Sequence, residues 1–118
     1  MLFRSRLAPA YEMALGTERD MAKALAAYKR ACDAGHQPSC YRYGHHLRLG
    51  EHLPKNVAQG VQMMTQACSG GAGDACYELG VMYENAEGTP RDLQKAVALY
   101  KQGCAAGHEP SCLKSRYR

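Results

Sequence analysis

The six cysteines of this 118-residue chain are the residues whose chemistry and spacing are most informative. They form three pairs, each enclosing seven residues: Cys32 and Cys40, Cys68 and Cys76, and Cys104 and Cys112. Corresponding members of successive pairs are 36 residues apart. Thiols in this arrangement could form disulfides, remain free or bind zinc, and disulfides would require an oxidising compartment. A fixed period of this length is typical of a solenoid, in which each repeat contacts only its neighbours.

Histidine is a second residue type that could bind a metal or act in catalysis. His36 and His108 share one position of the period and are expected in turns. His45, His46 and His52 are close in sequence, but positions i, i+1 and i+7 do not direct three imidazoles at one ion. We therefore predict no metal site and no cofactor.

The period extends to residues other than cysteine, so it describes a repeated structure. Small residues recur where backbones would approach each other, and large apolar residues recur where side chains would pack. Equivalent residues of three successive units include Asp20, Asn56 and Asp92; Leu25, Val61 and Val97; and Tyr28, Met64 and Tyr100.

Each unit is predicted to contain two short helices. In residues 93–100, apolar side chains recur at i, i+3, i+4 and i+7, which is one face of a helix. Asp20, Asn56 and Asp92 are predicted to be the N-caps of the second helix in each unit. No segment shows the alternation of a β-strand, so the chain is predicted to be all-α.

The segment from Cys76 to Cys112 resembles a Sel1-like repeat, a relative of the tetratricopeptide repeat. The resemblance is carried by L-G-V-M-Y, G-T-P-R-D, K-A-V-A-L-Y-K-Q-G-C and A-G-H-E-P-S-C. Cysteines at the end of one helix and the start of the next make the chain similar to the cysteine-rich subclass, typified by the Helicobacter cysteine-rich proteins. The resemblance covers about residues 15–113 and implies an α/α solenoid of helix pairs.

The resemblance also suggests how the chain is divided. We expect a single repeat domain over residues 1–118, with repeats at 17–40, 41–76 and 77–112, a degenerate first helix or N-terminal cap at 1–16, and a truncated C-terminal helix or tail at 113–118. The middle repeat departs from the pattern: His52 replaces the loop glycine found at Gly88, and Gly60 replaces the usual alanine.

The cysteine pairing follows from the repeat. Six cysteines allow many pairings, but C-x₇-C across a helix end, a tight turn and the next helix start can bring two Cβ atoms within bridging distance. The expected bridges are Cys32–Cys40, Cys68–Cys76 and Cys104–Cys112. Each would stabilise the fold by ~2–3 kcal/mol. Free thiols and zinc remain alternatives, although this spacing is wider than in the usual zinc knuckle.

One short motif suggests a catalytic alternative. Ser111 and Lys114 fit S-x-x-K, the nucleophile motif of serine β-lactamases and penicillin-binding proteins. The resemblance supports this alternative, because some cysteine-rich relatives are described as penicillin-binding or weakly β-lactam-hydrolysing. However, the sequence contains no S-D-N or K-T-G, and Ser111 stands where a helix cap is expected. We therefore assign no catalytic residue.

Disulfides would place the protein in a secreted or periplasmic compartment. The first ten residues contain Arg4, Arg6 and an Ala-Pro-Ala triplet, but a signal peptide with an apolar core is not visible. No segment has the length and apolar character of a membrane span.

Charge and surface pattern favour a protein or peptide partner. Fifteen Lys and Arg against eleven Asp and Glu give a net charge of +4, spread along the chain, whereas a nucleic-acid site needs a continuous basic stripe. Solenoids of this type bind partners in a concave groove lined by the first helices. The candidate groove residues lie opposite the core stripes: Arg42, His45, Leu49, Glu78, Val81 and Asn85, with Arg6, Pro9 and Met13 extending the row.

The expected function is therefore a non-enzymatic interaction scaffold or adaptor of a secreted or periplasmic bacterial type. An immunity protein that neutralises a toxin or effector is an alternative, as is the penicillin-binding or weakly β-lactam-hydrolysing activity suggested for cysteine-rich relatives.

Overall fold

The structure, a computed structural model, describes residues 18–116. Within that range it contains six α-helices and no β-strand, which confirms the predicted all-α solenoid. The helices are α1 (Glu18–Asp33), α2 (Gln37–Leu49), α3 (Val57–Ser69), α4 (Gly73–Glu84), α5 (Leu93–Ala105) and α6 (Glu109–Arg116). The degenerate helix expected at residues 1–16 lies outside the described residues.

The helices stack in chain order. Helices that are consecutive in the described chain pack against each other, and α4 also contacts α6. The first helices of successive repeats are α2, α4 and α6, and the second helices are α1, α3 and α5. This order places the first helices next to one another along one side of the described solenoid.

Two of the predicted N-caps are confirmed. The Oδ1 atom of Asn56 accepts a hydrogen bond of 3.0 Å from the backbone N–H of Gln59, at the start of α3. The Oδ1 atom of Asp92 accepts an equivalent bond of 3.0 Å from the N–H of Lys95, at the start of α5. Each bond satisfies a backbone donor that has no partner inside its helix.

The prediction of an N-cap at Asp20 is wrong, because α1 begins at Glu18 and Asp20 lies inside it. The positions equivalent to Glu18 in the next two units are Pro54 and Pro90. Proline restricts the residue before it, so it limits how far α3 and α5 could extend toward their N-termini, a limit that Glu18 does not impose. α1 is helical from Glu18, three positions before the residue that is equivalent to Val57 and Leu93.

The turns that join one repeat to the next have the same form and carry the disulfides. Gly35, Gly71 and Gly107 adopt φ of 97°, 98° and 91°, a conformation that favours glycine. The predicted disulfides Cys32–Cys40, Cys68–Cys76 and Cys104–Cys112 span these turns, with Cα–Cα distances of 4.6, 4.6 and 4.5 Å. No cysteine is free, so the free-thiol and zinc alternatives are wrong.

The core lies between the two layers of helices. Its fully buried side chains include Met64, Leu79, Met82 and Tyr100. A close approach of α2 and α3 depends on Gly60, where a Cβ atom would lie 3.2 Å from the carbonyl oxygen of Gly44. The departure from alanine at this position therefore permits tight packing in the middle repeat.

Candidate functional site

The first helices α2 and α4 form the surface that the sequence predicts for partner binding. We call it the α2–α4 face and define it by Arg42, His45 and Leu49 on α2 and Glu78, Val81 and Asn85 on α4. Arg42, Leu49 and Asn85 are exposed, and His45 and Val81 are half-buried. Five of the six candidate residues are thus accessible to a partner.

Glu78 differs from the other five. We expected its side chain to point away from the packed side, which is wrong, because the residue is only 7% exposed. Its carboxylate accepts hydrogen bonds from the hydroxyl of Tyr41 (2.9 Å), Nδ1 of His45 (2.8 Å) and Nη1 of Arg48 (2.8 Å). All three donors lie on α2, so Glu78 ties α4 to α2.

Arg48 connects this carboxylate to a second one. Its Nε and Nη2 atoms donate to the two carboxylate oxygens of Glu87 at 2.7 and 2.8 Å. This bidentate geometry is the strong form of an Arg–carboxylate pair. The hydrogen bonds to Glu87 raise the pKa of Arg48, burial opposes them, and the bond to Glu78 raises it further. The same bonds from Arg48 lower the pKa of Glu87.

Tyr41 completes the set of residues that we call the Glu78 network: Tyr41, His45, Arg48, Glu78 and Glu87. Burial raises the pKa of the Tyr41 hydroxyl, and the neighbouring Glu78 carboxylate raises it further. The hydroxyl therefore stays protonated and donates to Glu78. Because each carboxylate is bonded to a cation or a neutral donor, the network holds two helices together without leaving a bare buried charge.

The interface between α4 and α6 contains a related pair with the charges exchanged. Nζ of Lys114 lies 3.5 Å from Oε1 of Glu84, and the hydroxyl of Tyr100 donates to the same oxygen at 2.5 Å. Glu84 is the equivalent of Arg48 one repeat later, and Lys114 is the equivalent of Glu78. Both pairs join residues 30 apart in sequence.

Sequence reasoning missed Tyr41, Arg48 and Glu87. A signal was present, because opposite charges separated by 30 residues recur one period later with their signs exchanged. The residue pattern along a single helix does not contain that signal, which appears only when neighbouring first helices are compared.

The structure gives Ser111 a packing role. The residue is 0% exposed, and its Oγ lies 2.9 Å from Nδ1 of His108. A Cβ atom on Gly103 would clash with that Oγ, so the serine fills the contact between α5 and α6. The same His–Ser hydrogen bond recurs between His36 and Ser39 at 2.6 Å. A hydrogen bond that recurs at equivalent positions of the repeat is typical of a structural role. In addition, the wholly buried hydroxyl of Ser111 is poorly placed to attack a substrate.

The three neighbouring histidines pack loosely. The ring centroids of His45 and His46, and those of His46 and His52, are each 6.1 Å apart. Within residues 18–116, no three His, Cys, Asp or Glu side chains are grouped as metal ligands. The helices of this range also include none that is long and apolar enough to cross a membrane.

Comparisons with known proteins agree with this architecture. The Sel1 repeat matches residues 5–36, 37–71 and 73–108, and the second and third matches each begin at the start of a first helix. No curated protein sequence matches the chain.

Solved structures with the same fold include cysteine-rich protein B of Helicobacter pylori, with 23% identity and a TM-score of 0.75 over 78% of this chain and 69% of that one. A Sel1 repeat protein from Oxalobacter formigenes has 21% identity and a TM-score of 0.80, covering 93% of this chain and 45% of that one. A protective antigen of uropathogenic Escherichia coli that displays an SLR fold has 24% identity and a TM-score of 0.73, covering 89% and 24%. The chain therefore spans less than half of two of these three proteins.

Sel1 repeats generally mediate protein–protein interactions and act as scaffolds. The three matched segments account for most of the chain, and their helices repeat with the same period as the cysteines. The chain belongs to the Sel1 repeat family.

Proposed function

We propose that the chain is a non-enzymatic adaptor that binds a protein or peptide through the α2–α4 face. The observation that carries the proposal is the Glu78 network, which fixes α2 against α4 beneath the exposed side chains of Arg42, Leu49 and Asn85. A surface that is already ordered loses less conformational entropy on binding than a flexible one.

The chemistry of the face suits a mixed apolar and polar contact. Leu49 is 45% exposed, and the half-buried Val81 lies on the neighbouring helix. Arg42 supplies an exposed cation, and Asn85 supplies an amide at the C-terminal end of α4. An apolar centre with a polar rim is the usual arrangement of a protein–protein interface.

A matched pair of leucines tests the proposal. Leu49 is 45% exposed on the α2–α4 face, whereas Leu93 is 46% exposed at the start of α5. A photo-crosslinking residue at each position, used in an extract of the source organism, should capture a partner from position 49 and not from position 93. For that purified partner, Leu49→Ser should weaken binding by about tenfold, or ~1.4 kcal/mol, and Leu93→Ser should leave it unchanged.

Arg42 offers a second comparison. Arg42→Ala should slow association and make it less sensitive to salt, because an exposed interface charge acts mainly on the encounter rate. Lys101→Ala, at an exposed position on α5, is the control. Equal effects at both members of each pair would contradict a partner site on the α2–α4 face.

We also propose that the adaptor works in an oxidising, extracytoplasmic compartment. The three disulfides support this, because such bonds persist where cellular thiol reductants are absent. Acid-quenched cells treated with a thiol-reactive polymer should show no modified cysteine before reduction and six after it. Six reactive thiols before reduction would place the protein in a reducing compartment.

A further inference from the structure

A cavity of about 430 Å³ lies between α1 and the loop that joins α2 to α3. Its walls are mainly apolar, with Ala22, Leu25 and Ala26 on α1 facing Tyr43 and Leu53. None of its lining residues belongs to the α2–α4 face, so it is a separate feature of the surface.

The cavity has a cause in the sequence. In the next repeat, a Cβ atom on Gly88 would clash with Cγ1 of Val57 and lie 3.2 Å from Cγ2 of Val61, so that loop touches α3 directly. His52 replaces this glycine in the α2–α3 loop and has a similar backbone, with φ of 67° against 73° at Gly88. Because His52 carries a side chain, its loop cannot approach α1 as closely, and a space remains.

The edge of the cavity is cationic. Lys29 and Arg30 line it together with His52. Lys29 forms an exposed ion pair with Asp33 at 3.3 Å, and Arg30 is exposed in the last turn of α1. An apolar space with basic side chains at its edge is complementary to an apolar group that carries a nearby negative charge.

Charge also separates the possible occupants. The first eleven residues of the chain contain Arg4 and Arg6 and no acidic residue, and the whole chain has a net charge of +4. A basic N-terminal segment or a second copy of the chain would therefore bring like charge to the edge of the cavity. An acidic segment of another protein matches it.

We propose that this cavity binds an acidic peptide segment of a partner protein, which inserts one aliphatic or aromatic side chain between α1 and the α2–α3 loop. The inserted side chain packs against Leu25 and Leu53, and a flanking carboxylate lies near Lys29 or Arg30. The proposal does not depend on partner binding at the α2–α4 face.

The test uses a capped pentapeptide with one leucine between two pairs of glutamates, titrated into the isotopically labelled protein and followed by amide chemical shifts. The largest shifts should occur at Ala26, Lys29 and Leu53. Peptides with serine in place of the leucine, or with lysines in place of the glutamates, should bind at least about tenfold more weakly.

A matched pair of substitutions distinguishes binding in the cavity from binding elsewhere on the surface. Ala26→Leu places a larger side chain in the cavity and should weaken binding of the acidic peptide by about tenfold or more, because it blocks part of the site. Ala98→Leu, at the equivalent exposed position of α5, should not change it. Arg30→Gln should weaken binding by about threefold to fivefold, as expected for an exposed charge pair.

Several outcomes would overturn the proposal. Shifts that avoid the cavity residues, or equal binding of the leucine and serine peptides, would exclude an apolar anchor there. Equal binding of the acidic and basic peptides would exclude an acidic partner. Shifts at the cavity that grow with protein concentration in the absence of peptide would show that a second copy occupies it.

Discussion

Arg48 on α2 donates a hydrogen bond of 2.8 Å to the buried carboxylate of Glu78 on α4, across the boundary between two repeats. The next boundary has the opposite arrangement, with a carboxylate at Glu84 and an amine at Lys114. If α6 took the place of α4 beside α2, Arg48 would face Lys114, and two cations would meet. The alternation of charge therefore favours the observed order of repeats over a shifted one.

The two boundary pairs should differ in strength. A double-mutant cycle of Arg48→Met and Glu78→Gln should give a coupling of about 1.5–3 kcal/mol, because the pair is close and largely removed from water. A cycle of Lys114→Met and Glu84→Gln should give less than about 1 kcal/mol, since that pair is longer and more exposed. Urea unfolding of the native chain and of these single and double variants measures both values. Equal couplings would show that burial does not decide the strength of these pairs.

Glu87 should make stability depend on pH. Hydrogen bonds from Arg48 lower its pKa below the ordinary value of 4.5, despite some opposing desolvation. A carboxylate with a lowered pKa in the folded state stabilises the fold above its unfolded-state pKa, and this contribution is lost as the pH falls through the folded-state pKa. The stability advantage of the native chain over Glu87→Gln, under about 1 kcal/mol because the side chain is part-exposed, should therefore decrease as the pH falls below the ordinary value of 4.5 and be lost below the lowered folded-state pKa.

Arg48→Met provides the control for this pH dependence. Without the guanidinium, Glu87 loses the main cause of its lowered pKa. The stability difference between the Arg48→Met protein and the double variant that also carries Glu87→Gln should therefore no longer vary over the acidic range. A pH dependence of this difference that survives without Arg48 would show that another cation, such as Lys55, lowers the pKa of Glu87.

Features that repeat at a fixed interval can be predicted from the sequence alone. The spacing of Cys32 and Cys40 recurs twice, and a bridge across one helix–turn–helix unit needs only local geometry. Asn56 and Asp92 were likewise identified as caps, because an N-cap bond involves residues three apart in sequence.

Features that depend on two helices at once were less predictable. Glu78 was placed on an open face because a helical pattern describes one helix, whereas its burial depends on Tyr41 and Arg48 of the neighbouring helix. The cavity beside His52 was missed for a similar reason. The departure from glycine was visible in the sequence, but the space it leaves depends on how the loop packs against α1.

The loops within the repeats each place one unfavourable residue in left-handed backbone. His52 and Ala86 have φ of 67° and 56°, while Gly50 and Gly88 adopt the same region without penalty. His52→Gly and Ala86→Gly should each stabilise the fold by about 0.5–1 kcal/mol. The substitution removes the cost of a side chain in left-handed backbone, and the greater conformational freedom of glycine in the unfolded chain offsets part of this gain. Gly50→Ala and Gly88→Ala should cost more than about 1 kcal/mol.

Thermal and urea unfolding of these four variants measures the effects. Unchanged stability in both His52→Gly and Ala86→Gly would mean that the left-handed residues are not strained. His52→Gly has a second expected effect, because the loop can then approach α1 and the acidic peptide should bind the cavity more weakly.

The three disulfides should differ in their rate of reduction in the native protein. Cys32, Cys40, Cys68 and Cys76 are at most 3% exposed, whereas the cysteines of the third bridge, Cys104–Cys112, are half-buried. Thiol–disulfide exchange requires that a reductant reach a sulfur atom, so Cys104–Cys112 should be reduced first under mild conditions. Alkylation at successive times, followed by peptide mass spectrometry, identifies the order.

Denaturant provides the control for the order of reduction. In denaturant the reductant can reach all six sulfur atoms, so the three bridges should be reduced at similar rates. Similar rates in the native protein would contradict the predicted order and would show that reduction proceeds through global unfolding. If the predicted order holds, the protein with only Cys104–Cys112 opened should be less stable by about 2–3 kcal/mol, because the constraint on the unfolded chain is lost while the two buried bridges remain.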